Sequence, residues 1–295
     1  MQANAATPFF KKDDIIALVG GEDMVVASEC GYLEYLLTRA LPEDHLRFRS
    51  LAWEGDTVFD QRRDLNFPSW EEQLEKTSAT VVMVQFGQLE SLEGQEKLPE
   101  FIAAYEKLLD RFSGGGKRRF ILLSPHNLSQ SAALRSEDAH SLTKSESLKV
   151  RNAIVRHYQN AIEDLAKKHS ALFIDLAELP AGDRPLLRDG IHLSLTGQHA
   201  VAARTLEELK LPDGQESKPQ DALLHLIVAK DLLWFNYWRP QNWAFLAGDR
   251  TSQPSSRDHL DPSKRWFPPE REQFVPLVEA KEKEIDALVS QLSKP

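Results

Sequence analysis

The stretch Asp14-Ile15-Ile16-Ala17-Leu18-Val19-Gly20, followed by Gly21-Glu22-Asp23, decides the fold class. A brief apolar run closed by glycine reads as a buried strand, because it is too short for a stable helix and ends on a turn-forming residue. Working outward, Tyr32 to Leu41 carries apolar residues at helical spacing and stops at Pro42. Leu46 to Leu51 alternates apolar and polar as a second strand, and Gly55-Asp56-Thr57 turns the chain after it. Thr80 to Gly87 is a β-branched third strand, Leu98 to Phe112 an amphipathic helix ended by Gly114-Gly115-Gly116, and Arg119 to Leu123 a fourth strand running into Ser124-Pro125. Leu148 to Lys168 has helical spacing, and Ala171 to Leu176 is a fifth strand. Strands alternating with helices predict a parallel five-stranded sheet with helices on both faces, a three-layer α/β/α sandwich. Ligands of such sheets bind beyond the carboxyl ends of the strands. The segments that matter therefore follow Val19, Leu51, Phe86 and Leu123.

The 295 residues carry 36 Lys+Arg against 45 Asp+Glu, a net charge of −9, with 41% hydrophobic and 27% charged residues. That balance excludes wholesale disorder and argues against nucleic acid as a partner, because phosphate contacts dominate such binding. No apolar stretch reaches the roughly 20 residues of a membrane span. Cys30 is the single cysteine, so neither an intrachain disulfide nor a CxxC site can form. No cofactor and no metal are expected. Ala3-Asn4-Ala5 has the small-x-small form of a signal-peptidase site, which points to a periplasmic or secreted protein, with a cytoplasmic one left open. Residues 1–12 read as an N-terminal arm, 13–212 as the sheet domain and 213–295 as a helical and irregular extension packing on it. Asp213 to Pro219 is the polar linker. The extension holds four of the six tryptophans (Trp234, Trp238, Trp243 and Trp266). A helix is expected from about Gln220 to Trp238, then an irregular arm, then a closing helix from about Pro276 to Leu292. Most of these aromatics are expected to fill the crevice against the sheet. A sugar-stacking surface is the alternative.

The sharpest chemical motif is Asp189-Gly190-Ile191-His192, followed by Leu193-Ser194-Leu195-Thr196-Gly197. Asp-x-x-His in a tight turn can hold a carboxylate on one imidazole nitrogen and leave the other facing a reacting group. With the strand order, this segment makes the chain resemble the SGNH, or GDSL-type, hydrolase family over about residues 12 to 212. Asp189 and His192 fall on the family's acid and base positions. Trp53-Glu54-Gly55-Asp56-Thr57 resembles its second block, which puts Gly55 on the glycine that helps bind the oxyanion. The resemblance implies a flavodoxin-like sheet and hydrolysis of esters, with acylated carbohydrates among the ligands. Two positions depart from the pattern. Gly20-Gly21-Glu22-Asp23 puts Glu22 where the family has its nucleophilic serine. Gly87-Gln88-Leu89-Glu90-Ser91 puts Leu89 where it has an oxyanion-binding asparagine, and leucine cannot donate a hydrogen bond. Gly31-Tyr32-Leu33-Glu34 and Trp238-Arg239-Pro240-Gln241-Asn242-Trp243 resemble a bacterial subgroup in which the serine block is already eroded.

These departures predict a pseudoenzyme that keeps a cleft for a small-molecule ligand. In that reading Glu22 sits beside His192 and raises its pKa, Gly21 and Gln88 line the cleft, and Glu90 stands near by. The alternative is an active hydrolase, either with Glu22 and Glu90 or Asp23 as paired carboxylates, or with Ser91 or Ser124 as a relocated nucleophile. A metal set of Glu22, His192, Asp189 and His126 has suitable ligand types but no compact spacing. A third reading is an interaction module of an exported complex. Oligomeric state is left open.

Overall fold

The structure is a computed structural model, and it describes residues 9–129, 141–180, 183–212 and 221–293. Ala3-Asn4-Ala5 and the linker at 213–219 lie outside the described residues. The elements run β1 (Ile15–Gly20), α1 (Glu22–Cys30), α2 (Tyr32–Ala40), β2 (Arg47–Ser50), α3 (Trp70–Lys76), β3 (Val81–Gln85), α4 (Leu98–Phe112), β4 (Arg119–Leu123), α5 (Ser141–Lys168), β5 (Leu172–Ile174), α6 (Leu195–Glu208), α7 (Asp221–Trp238), α8 (Trp243–Leu246), α9 (Phe267–Glu272) and α10 (Phe274–Leu292). The sheet is parallel throughout, in the order β2-β1-β3-β4-β5.

Alternation along the strands creates the layers. Ile16, Leu18, Val81, Met83, Ile121 and Leu123 point into one core, which α2, α6 and α10 cover. Ala17, Val19, Val82, Val84, Phe120 and Leu122 point into the other, covered by α3, α4 and α5. Every residue of β3 is buried, as expected of a strand enclosed on both faces. Sequence patterning misses α1 and α3 as elements of their own. The first is marked only by Glu22 and Asp23 in its opening turn, where carboxylates suit the helix dipole. The second is marked by a Ser69–Glu72 capping box.

The extension closes the free edge at β2. Outward carbonyls of an edge strand need partners or cover. Arg47 donates to the Leu46 carbonyl, Arg49 to that of Phe48, and the Trp234 indole to that of Ser50. The arginines are held in turn by α10, Arg49 on Glu282 at 2.6 Å and Arg47 on Asp286 at 2.5 Å. At the break between α1 and α2, Gly31 has φ +69°, and a Cβ there would lie 3.0 Å from Ile227 of α7. Three residues on, Glu34 receives the Lys230 ammonium at 2.6 Å, and Asp231 takes the same ammonium at 2.6 Å. The Gly31-Tyr32-Leu33-Glu34 motif is thus the seat of α7. Trp234, Trp238 and Trp243 are buried, and Phe67 packs on Trp243 with ring centroids 4.7 Å apart. These rings pack in the interface between the extension and the sheet. No described helix is long and apolar enough to cross a membrane.

Candidate active site

The site forms at the carboxyl ends of β1 and β3 together with the turn before α6. Gly20 ends β1 with φ +151°, and a Cβ there would come within 2.5 Å of the Gln85 carbonyl, so only glycine lets the two strand ends lie this close. Glu22 then opens α1 and lines a cavity of about 30 Å³ together with Gly21, Asp56, Gln85, Gln88 and His192. That volume holds about one or two waters.

Asp189 and His192 meet as the motif predicts. The Asp189 carboxylate contacts His192 Nδ1 at 2.7 Å and accepts the backbone N–H groups of Ile191 and His192 at 2.9 and 2.7 Å. Burial opposes ionisation of Asp189, but these hydrogen bonds outweigh it and hold the carboxyl down at about 2. Ionised Asp189 therefore contributes stability that is complete above its ordinary pKa near 3.8 and is lost as pH falls through about 2. In ¹³C-carboxyl NMR its titration is expected near 2, and an ordinary midpoint would mean the turn is open in solution.

Glu22 does not pair with His192. Its carboxylate binds Arg188 Nη2 at 2.5 Å in place of the expected contact with His192. The reason is positional: Arg188 directly precedes Asp189 and reaches the first turn of α1. Glu90 is also committed, since its two oxygens accept Val58 N–H and Gly87 N–H at 2.8 Å each. It ties the end of β3 to the turn after β2, and burial raises its pKa. Neither carboxylate is left free to act as half of an acid/base pair. Ser124 is fully buried, accepting Leu176 N–H, and Ser91 is buried and donates to the Gln88 carbonyl, so neither hydroxyl faces the cavity. Gly55 sits on an exposed turn outside the cavity, while its neighbour Asp56 lines it and is gripped by Arg63 at 2.7 and 2.6 Å.

Gln88 lines the cavity. Its Oε1 accepts His126 N–H at 3.0 Å, which turns its amide Nε2 away as a buried donor without a partner. Gln85 Nε2 is a second such donor on the same cavity. Sequence reading did not single out Gln85, although it stands at the last position of β3. It also missed that Asp23 is a hub. Asp23 takes His126 Nε2 at 3.1 Å and Leu193 N–H at 2.9 Å on its carboxylate, and Gln198 Nε2 at 2.8 Å on its carbonyl. It locks α1 to the His192 turn. The only hint in the sequence is its place beside Glu22. His126 is held by Asp23 and Glu22 by Arg188, and among the described residues no group of three or more His, Cys, Asp or Glu is placed to hold a metal ion.

The GDSL-like lipase/acylhydrolase family model matches residues 13–200. The chain belongs to this family. Among solved structures it is similar to a gut microbial diltiazem-metabolizing enzyme, at 18% identity and a TM-score of 0.53, over 69% of this chain and 48% of that one. The chain thus spans about half the length of that enzyme. It is also similar to an extracellular lipase from Streptomyces rimosus (15% identity, 67% of this chain and 98% of that one, TM-score 0.47). A third likeness is to an active-site mutant of a family two carbohydrate esterase from Clostridium thermocellum (12% identity, 68% and 64% covered, TM-score 0.41). No curated protein matches the chain. At these identities the structural likeness speaks for the fold. The matched span includes Glu22, Leu89, Asp189 and His192.

Proposed function

We propose that this GDSL-family protein receives the acyl carbonyl of a small ligand at the mouth of the His192 cavity, without efficient ester hydrolysis. One observation carries the reading: among the described residues no hydroxyl or thiol lines the cavity that holds His192. The general base has no nucleophile to activate, and Glu22, at the nucleophile position, is neutralised by Arg188. The two unpartnered glutamine amides, Gln85 and Gln88, supply donors suited to a carbonyl oxygen. An acylated carbohydrate and an exported location, periplasmic or secreted, belong to the same proposal. They rest on the family resemblance and on Ala3-Asn4-Ala5.

A second reading has its own observation. The Asp189–His192 contact at 2.7 Å is intact, so His192 could activate a water in place of a side-chain nucleophile. Hydrolysis of p-nitrophenyl acetate and of an acetylated xylo-oligosaccharide between pH 5 and 9 separates the two. The expected result is wild-type turnover no higher than that of His192→Ala. Wild-type activity abolished in His192→Ala would establish the water-activating reading and overturn the first.

A further inference from the structure

A second cavity, of about 220 Å³, lies between α1, the end of β2 and α7. Val25, Ala52, Val228, Trp234, Phe235 and Trp238 make its walls largely apolar. An engineered apolar cavity of about 150 Å³ elsewhere admits benzene, so this space suffices for an aromatic ring with a short substituent. Its polar groups divide unevenly. Two acceptors are engaged, since the Ser50 carbonyl takes the Trp234 indole and Asp231 takes Lys230, and the Ser28 hydroxyl and Glu29 carboxylate also line the space. Two donors of lining residues are not engaged, for Trp238 Nε1 and Arg239 Nη1 are buried with no hydrogen-bond partner. The other arm of Arg239 is spent on Glu54 at 2.6 Å, while its guanidinium lies 3.9 Å over the Trp53 ring. A buried donor left unmade is costly, and a ligand oxygen could relieve the cost after a small side-chain adjustment. Glu29 lines the same space and Glu54 already balances the Arg239 charge, so an anion would meet repulsion without a free countercharge.

We infer that this cavity is a binding site for a small uncharged aromatic molecule bearing one carbonyl acceptor. It is separate from the His192 cavity, yet both share α1, which carries Glu22 in its first turn and Val25 and Glu29 further along. The site exists only because α7 closes over β2.

The test uses the full chain labelled with ¹⁵N-tryptophan, whose six indole N–H signals are followed by NMR during titration with acetophenone, benzoate or toluene. Acetophenone is expected to shift the Trp234 and Trp238 signals saturably and to bind about tenfold more tightly than toluene, the size of one hydrogen bond of about 1.4 kcal/mol. Benzoate is expected to bind more weakly than acetophenone. Ser28→Leu and, separately, Ala52→Leu fill the space. In either variant that retains the wild-type circular dichroism spectrum, affinity is expected to fall at least tenfold. Absence of saturable shifts with every probe, unchanged affinity in a folded filled variant, or tighter binding of benzoate or toluene than of acetophenone would each overturn the inference.

Discussion

Lys230→Met is expected to lower the stability of the chain by about 3–5 kcal/mol at neutral pH, the cost of leaving buried charge without its partner. Lys230 is fully buried, and its ammonium lies 2.6 Å from both Glu34 and Asp231, themselves almost inaccessible. Burial pushes the Glu34 and Asp231 carboxyls upward even with the ammonium present. Burial opposes the charge on Lys230, but the two carboxylates outweigh it and hold its pKa up. Without Lys230 the two carboxyls can be accommodated only by taking up protons. A raised folded pKa favours the folded state below the unfolded value and loses that advantage as pH rises. The deficit of the variant should therefore shrink toward pH 4 and grow as pH rises through neutrality. Urea denaturation at several pH values measures it. The triple change Lys230→Met, Glu34→Leu, Asp231→Leu should recover most of the loss, since an apolar trio needs no compensation. A single-variant loss below about 1 kcal/mol, the range of an exposed pair, would show that α7 does not bury this cluster in solution.

The double change Glu22→Ser, Leu89→Asn is expected to raise p-nitrophenyl acetate hydrolysis at least about 100-fold above wild type, a small part of the roughly 10⁶ associated with a nucleophile in the best-measured triad. Asp189 and His192 are already in contact, and the Asp23 hub already holds their turn against α1. On the proposed reading the double change supplies a hydroxyl at the start of α1 and a donor at position 89. Glu22→Ser alone should recover less, because one oxyanion donor is worth roughly 10²–10³ in rate. Adding His192→Ala to the double variant should return it to background. A silent double variant that folds normally would overturn the proposal that these two side chains are what limits ester hydrolysis here.

The fold was legible because its signal is local. Val81 to Gln85 and Ile15 to Gly20 are apolar runs bounded by turns, and the helix over Leu98 to Phe112 lies where its spacing and its glycine stop put it. Asp189 and His192 were legible for the same reason: their contact spans three residues within one turn. The absence of serine at 22 and asparagine at 89 is likewise a matter of sequence.

What those replacements do was decided by long-range geometry. Glu22 meets Arg188 across 166 positions, and Asp23 meets His126 across 103. No spacing rule connects such partners, because each results from segments converging at the carboxyl ends of the strands. The orientation of Gln88 depends on a backbone N–H 38 positions away. The role of Gly31-Tyr32-Leu33-Glu34 became clear only when α7 was seen to seat Lys230 on Glu34, 196 positions apart. Local periodicity specifies which segments are strands and helices. The pairing of buried charges and donors depends on which segments the packed sheet brings together, and that is a property of the tertiary structure.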